Sequence, residues 1–371
     1  MNKKKEVYSN DNKSITGISI LSLCMLIAYL SCSPGSGDTI GNIHQKYVFV
    51  DMHAHPERFH RANVSQISQE EIGRYLNNHM DVAVCCVSSD AAYQGGYVTR
   101  DGTNVRRLRS GEDYDIEPGD AYAFTLDRFS RIIETTTEEN AALALSPESV
   151  LEAKKQGKLS LIAALEGADG LEGNIEHLQE LYGKGLRLLQ LVNFRANELG
   201  FIQTRPYQAG GLTPFGEEVV RECNRLGIVI DLAHAHMETT MDVVAVSQHP
   251  VLFSHTGVKA LHEGDRYLSD EEIKAIAEKG GIIGIWPTSS FADMNEMVQH
   301  IEYVKDLAGI DHIGIGSDLR GMSYLKEFGE EAHFDSITYA LLDHGFSEEE
   351  TGKIMGGNFF RVWQEITGEN R

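Results

Sequence analysis

A small set of side chains in this sequence is chemically suited to hold divalent cations. His53-Ala54-His55 places two imidazoles two residues apart, and Glu166, His234, His255 and Asp318 add further nitrogen and carboxylate donors. Imidazole and carboxylate oxygen are ligands of a borderline ion such as zinc, and a carboxylate has two oxygens with which to bridge a pair of ions. Two ions sharing a hydroxide supply a nucleophile at neutral pH and polarise a carbonyl, which is the chemistry of metal-assisted amide hydrolysis. A lone His-x-His is more often a pair of surface loop histidines. The argument therefore depends on where the other donors fall.

They fall at strand ends. Val48-Phe49-Val50 is the continuous apolar run of a parallel strand covered on both faces, and Pro56 stops it just after the second histidine. Residues i and i+2 of a strand point the same way, so His53 and His55 can reach one cation. Seven more strands are predicted: Val82–Val87, Leu159–Leu165 ending at Glu166, Leu186–Val192 running into Asn193, Ile228–Leu232 ending at His234, Val251–Ser254 ending at His255, Ile282–Trp286, and Ile313–Gly316 ending at Asp318. Helices alternate with them, among them Pro147–Lys155, Pro214–Leu226 and the one capped by Ser269 and Glu272. Eight strand and helix units without hairpin signals predict an α/β fold, a single-domain (β/α)8 TIM barrel. In that fold the C-terminal strand ends meet at one mouth, where active sites are built. The long irregular stretch from Ser88 to about Asp120 is expected over the same face.

The formal charge of −22, with 55 acidic against 33 basic residues in 371, argues against a nucleic-acid partner. Lys3-Lys4-Lys5 and Lys13 precede an apolar run from Ile15 to Leu30, too short for a spanning helix, which ends at Ser31-Cys32-Ser33. This reads as an export signal over 1–32, with Cys32 as the lipid-acceptor cysteine of a bacterial lipoprotein facing the periplasm or cell exterior. Tyr29 and Leu30 depart from that signal, and an ordinary signal peptide or an uncleaved anchor remains an alternative. Residues 33–46 read as a Ser/Gly linker and 47–371 as the barrel. Cys85, Cys86 and Cys223 imply no disulfide framework, since neighbouring cysteines cannot easily bridge each other, and are expected in the core.

Several runs resemble the membrane dipeptidases, the renal dipeptidase-like metallopeptidases of the amidohydrolase superfamily. They are Ala164-Leu165-Glu166-Gly167, Gly211-Leu212-Thr213-Pro214-Phe215-Gly216-Glu217, Ile230-Asp231-Leu232-Ala233-His234, Pro250-Val251-Leu252-Phe253-Ser254-His255, His312-Ile313-Gly314-Ile315-Gly316-Ser317-Asp318 and Gly356-Gly357-Asn358-Phe359-Phe360-Arg361. The resemblance covers about Val48 to Gln364. It implies a zinc-dependent dipeptidase with two ions and a metal-bridging hydroxide. In it Glu166 bridges, His234 and His255 hold the second ion, His53 helps hold the first, Asp318 shuttles protons and Arg266 binds the substrate's terminal carboxylate. Two positions depart from the pattern. His55 stands where the family has aspartate, although other amidohydrolases use His-x-His there, and Asn193 stands where the commonest dipeptidases have a histidine that steadies the oxyanion. Other amidohydrolase activities, on acyl-amino acids, lactones or cyclic amides, therefore stay open, as does a catalytically weak binding lipoprotein. The expected partner is a small dipeptide, with membrane contact only through the anchor and a homodimer left open. Asp231 is expected either behind a ligating imidazole or in an ordinary strand-end role. His236, two residues after His234, could share its direction, but the family has no ligand there, and like the other histidines, His300 among them, it is expected at a surface or helix end.

Overall fold

The computed structural model describes residues 36–59, 64–93, 98–100, 103–105, 117–137, 139–204 and 210–368. The expected signal peptide, with Cys32, lies outside the described residues, and so does most of the Ser88–Asp120 stretch. Among the described residues no helix is long and apolar enough to cross a membrane. From Asp38 onward the chain forms one compact body.

Eight parallel strands make the barrel wall: β1 Val50–Ala54, β2 Val82–Ser88, β3 Leu159–Glu166, β4 Leu186–Gln190, β5 Val229–Asp231, β6 Leu252–Val258, β7 Ile282–Ile285 and β8 Ile313–Ile315. Each pairs with the next in this order, as expected when every connection is a right-handed crossover carrying a helix. The ring closes between last and first strands through one bridge, Ala54 to Leu319. On either side of it Asp318 N donates to His53 O and His55 N to Leu319 O, both at 2.8 Å. Two further strands lie off this path: Ala141–Leu143 pairs in parallel with the start of β3, and Tyr267–Leu268 pairs with the end of β6.

Alternation along the strands sorts the apolar side chains into two layers. Val50, Met52, Val84, Ile162, Leu188, Val229, Leu252 and Ile282 form one cluster with Phe359, Val362 and Trp363 of the helix Asn358–Thr367. Ala83, Leu161, Leu165, Leu189, Ile230, Phe253 and Ile283 belong to the larger cluster made with the surrounding helices. Met52 fills the space beside Gly284 and Gly314, where an added Cβ would come within 2.7 Å of its side chain. Apolar residues thus fill the lower barrel, and the polar residues gather at the other end.

One expectation is corrected at the N-terminus. Residues 33–46 do not all form a linker, because Ser36–Lys46 is a helix whose Ile40 and Ile43 are buried in the core. The Gly and Ser content suggested a spacer, but two isoleucines three apart share a helical face and bring it onto the barrel. Their burial overrides the weak local preference.

Candidate metal centre

Bulges aim the ligands. Between Asp51 and Ala54 the pairing of β1 with β2 slips, with three steps along β1 against two along β2. β6 slips against β7 in the same way, between Phe253 and Thr256. An extra residue interrupts strict alternation and re-aims the side chains beyond it, so Met52 can lie in the core while His53 reaches the mouth, and Phe253 can lie outside while His255 does. His53 and His255 are fully buried, and His55, Glu166 and His234 nearly so.

Glu166 divides the histidines between its two oxygens. Its Oε1 lies 3.4 Å from His53 Nε2 and 3.6 Å from His234 Nε2, whereas its Oε2 lies 3.3 Å from His55 Nε2. His234 Nε2 in turn stands 3.1 Å from His255 Nε2. Two groups have donor atoms all within 4.8 Å of one another: His53, His55 and Asp318, and His53, Glu166 and His255. Every ligand expected from the sequence is therefore in one cluster.

The atoms behind the ligands fix which nitrogen each presents. His55 Nδ1 lies 2.8 Å from the carbonyl oxygen of Cys86, which can only accept, so this nitrogen carries the proton and Nε2 keeps its lone pair for a cation. Ser254 Oγ lies 2.8 Å from His255 Nδ1 and 3.3 Å from His53 Nδ1, and Cys86 Sγ lies 3.3 Å from the same His53 nitrogen. All three imidazoles thus turn Nε2 inward. Ser88, the last residue of β2, donates to Glu166 Oε2 at 2.6 Å. Asp231 takes the strand-end role: its Oδ1 accepts from Ala233 N and Ser254 N, while its Oδ2 faces His53 Nδ1 at 3.9 Å, beyond hydrogen-bond distance.

The electrostatics fit cations at this place. Burial pushes the His234 imidazole well below its ordinary pKa, with Arg266 adding to the effect, and burial with the neighbouring His53 does the same to His255. Burial would raise the Glu166 carboxyl, but His55, His53 and His234 hold it well below the usual range. His53 runs the other way: burial would lower it, but Cys86, Asp231 and Glu166 beside it hold it well above its ordinary value. It must therefore release a proton to bind metal, whereas His234 and His255 already present the neutral form that binds. His53 Nε2 is buried with no hydrogen-bond partner, although it faces Glu166, and Asp231 Oδ2 is another buried atom without one. Such orphaned atoms are rare and costly in a folded interior, and a divalent ion would satisfy the inward-facing nitrogen.

Asp318 Oδ1 lies 3.5 Å from His55 Nε2, near enough to share an ion or to exchange a proton with a water beside it. Its backbone is left-handed, with φ 49, an uncommon state for a non-glycine residue that clusters at functional sites. Arg266 does not pair with Asp265 or Asp270. Its Nη1 donates to Gln203 Oε1, its guanidinium stands 5.2 Å over the Trp286 ring, and its Nη2 is buried without a partner. Asn193 is fully buried at the end of β4, where its Nδ2 donates to Asp90 Oδ1 at 3.1 Å and its Oδ1 has no partner. Burial, with Asp169 and Glu166 nearby, raises the Asp90 carboxyl well above its ordinary pKa.

Sequence reasoning missed Ser88, Cys86, Ser254, Asp90, Gln203 and Trp286. The strand-end rule could have found Ser88, Ser254 and Trp286, which come directly after the apolar runs of β2, β6 and β7. The others are visible only in three dimensions. His236 behaves as expected, accepting from Glu238 N to cap the helix Met237–Val246. His300 does not. It is fully buried, accepts from Val258 N at 2.9 Å and stacks on Phe291 with ring centres 4.3 Å apart.

An eight-stranded barrel with imidazoles and carboxylates converging at the C-terminal strand ends defines a (β/α)8 protein with a candidate metal centre. Within that class the chain belongs to the membrane dipeptidase family, peptidase family M19, whose sequence pattern matches residues 38–370. It is 30% identical over 252 residues to the dipeptidase tcpJ of Claviceps purpurea, across 65% of this chain and 59% of that one. It is 28% identical over 267 residues to the dipeptidase aclJ of Aspergillus oryzae, across 67% and 63%. The chain thus spans about three fifths of the length of these relatives. In fold it is similar to an amidohydrolase from Pseudomonas aeruginosa, with a TM-score of 0.74 at 23% identity over 88% of this chain and 99% of that one. It is also similar to a metallopeptidase from Rhodobacter sphaeroides, solved with a phosphinate mimic of the dipeptide L-Ala-D-Ala, with a TM-score of 0.73 at 19% identity over 86% and 99%.

Proposed function

We propose that this protein is an exported, lipid-anchored dipeptidase that works with two zinc ions. The observation that carries the reading is the division of Glu166, whose two oxygens face different histidines. His53 and His55 would hold one ion, and His234 and His255 the other, with Glu166 shared and Asp318 standing beside the first. Bound there, zinc supplies a polarised scissile carbonyl and a water acidified towards neutrality. The remaining work falls to the chain itself. Asp318, at the mouth beside His55, takes a proton from the attacking water and delivers it to the leaving amine. Arg266 offers its free Nη2 edge to the substrate's terminal carboxylate, one residue beyond the cleaved bond, through parallel charge-assisted hydrogen bonds.

A second reading, hydrolysis of acyl-amino acids, lactones or cyclic amides on the same barrel, is favoured by Asn193. With its amide donating to Asp90, it offers a developing oxyanion at most one neutral hydrogen bond. A panel of free dipeptides, acyl-amino acids and lactones, assayed with zinc-loaded protein alongside metal analysis, separates the readings. Turnover of dipeptides with two ions per chain is the expected result. Turnover of another class alone would establish the second reading, and two bound ions with no turnover a binding protein. The anchor is tested apart, by fatty-acid labelling that Cys32→Ala should abolish.

A further inference from the structure

The barrel closes where half of the metal centre is made. His53 and His55 lie at and just past the end of the first strand and Asp318 comes after the last. Between them the wall is held by the bridge at Ala54 and Leu319 with its two flanking hydrogen bonds and by Asp51, whose carboxylate accepts from Ser317 N at 2.8 Å and Ser317 Oγ at 2.6 Å. β8 itself contributes only three residues. A seam this short leaves the loops beyond it to be fixed by something else.

The structure assigns that task to Glu71: we propose that it is a positioning residue, holding the loops after β1 and β8 together and so setting the affinity of the ion site at His53 and His55, beside which Asp318 stands. The inference rests on the two-ion reading above. Glu71 lies in the first turn of the helix Gln69–Asn77 and is 1% exposed. Its Oε1 accepts from the backbone N of Glu57 at 3.2 Å and from Arg320 Nε at 3.1 Å, and its Oε2 accepts from Arg320 Nη2 at 2.9 Å and Arg74 Nη1 at 2.6 Å. Glu57 is two residues past His55, and Arg320 is two residues past Asp318. One carboxylate therefore grips both loops at equal remove from their ligands, and the planar guanidinium fixes the grip in direction as well as distance.

Both loops need holding. Glu57, Arg58, Asp318 and Arg320 all have left-handed backbones, with φ of 56, 54, 49 and 70, which L side chains adopt only when their surroundings impose it. Arg320 N donates to Tyr324 Oη, which donates back to Asp318 O at 3.2 Å, so the turn carrying Asp318 is tied on its own side as well. Among the described residues Glu71 alone is hydrogen-bonded both to this turn and to the one after His55. His234 and His255 stand on the loop after β5 and on β6, away from this network. Loss of the clamp should therefore affect one ion and spare the other.

The test is the stepwise affinity of the full chain for zinc in chelator-buffered solution, with cobalt absorption as a second readout of ligand geometry. Glu71→Gln keeps the shape but turns an amide towards Arg320. It should weaken one ion by about 10- to 100-fold, the usual cost of losing a group behind the ligands, and leave the other within about threefold. Arg320→Lys, which keeps the charge without the fork, should give the same selective loss to a smaller degree, and it serves if Glu71→Gln does not fold. Arg74→Gln removes a partner of Glu71 that does not reach the seam and should leave both affinities unchanged. Unchanged affinities in Glu71→Gln with only a lower melting temperature, or equal loss of both ions, would overturn the assignment. A wild-type chain that takes up one ion would instead overturn the two-ion reading, and the selectivity with it.

Discussion

Replacing Arg266 by alanine should make the enzyme nearly indifferent to the substrate's terminal carboxylate. Burial pushes the guanidinium down to about 10, against the pull of Asp318, Glu166 and Asp231, so it is still fully charged at pH 7. One edge is fixed by Gln203, itself held through Nε2 to Asp265 O at 2.7 Å, and the Nη2 edge is free. A charge-assisted hydrogen bond from that edge contributes about 1.5–3 kcal/mol, which is roughly a 10- to 150-fold loss of kcat/KM when the arginine is removed. Arg266 also helps to keep His234 neutral, so the variant should change the metal site as well. That second effect is common to all substrates and cancels in a ratio. The assay therefore compares kcat/KM for a free dipeptide and its C-terminal amide, in wild type and in Arg266→Ala, at saturating zinc. The free dipeptide should suffer the full loss and the amide far less. Gln203→Ala, which loosens the arginine without removing it, should fall between. Equal losses on both substrates would refute carboxylate reading by Arg266.

Asp318→Asn should lower kcat by roughly 100-fold or more while metal content stays near that of wild type, as expected for a lost proton shuttle; loss of an ion by elemental analysis would make Asp318 chiefly a ligand. Ser88→Ala removes the donor to Glu166 Oε2 and should weaken zinc binding by about 10-fold, measured by competition with a chelator, with little change in melting temperature. His300 gives a pH effect on stability. Burial lowers its pKa from 6.5 to about 4, so the unfolded chain takes up a proton below pH 6.5 that the folded chain refuses. Stability should fall as pH drops from 6.5 to 4, by about 3 kcal/mol from this group, and level off below. Denaturant titrations of wild type and His300→Gln should diverge by that amount across the window, and parallel curves would show that His300 is not the cause.

The barrel was legible because its strands are buried on both faces and therefore appear as uninterrupted apolar runs, such as Leu159–Leu165 and Val82–Val87. The ligand set was legible because His53, His55, Glu166, His234, His255 and Asp318 each end such a run. How β1 and β6 deliver their histidines was not. Strict alternation from Met52 and from Phe253 would have separated side chains that the bulges bring together. Burial of His300 was hidden because a lone histidine in the amphipathic helix Met294–Ala308 carries no local sign that a backbone N–H from β6 will meet it. Asn193 was identified as a departure from the family, but its bond to Asp90 spans more than a hundred residues of sequence and leaves no pattern to read.

The closure of the barrel at Ala54 and Leu319 also has a bearing on how the protein is made. A chain emerging from the ribosome presents His53 and His55 early and Asp318 almost last, so the group of His53, His55 and Asp318 has no complete form on a partly synthesised chain. Glu166, His234 and His255 are all present before the last strand exists. On the two-ion reading the two halves of the centre become complete in a fixed order, and zinc offered to growing chains should find the later half a set of loose imidazoles near the N-terminus. Chains stalled before Ile313 and assayed for bound zinc would show at most one ion if this order holds.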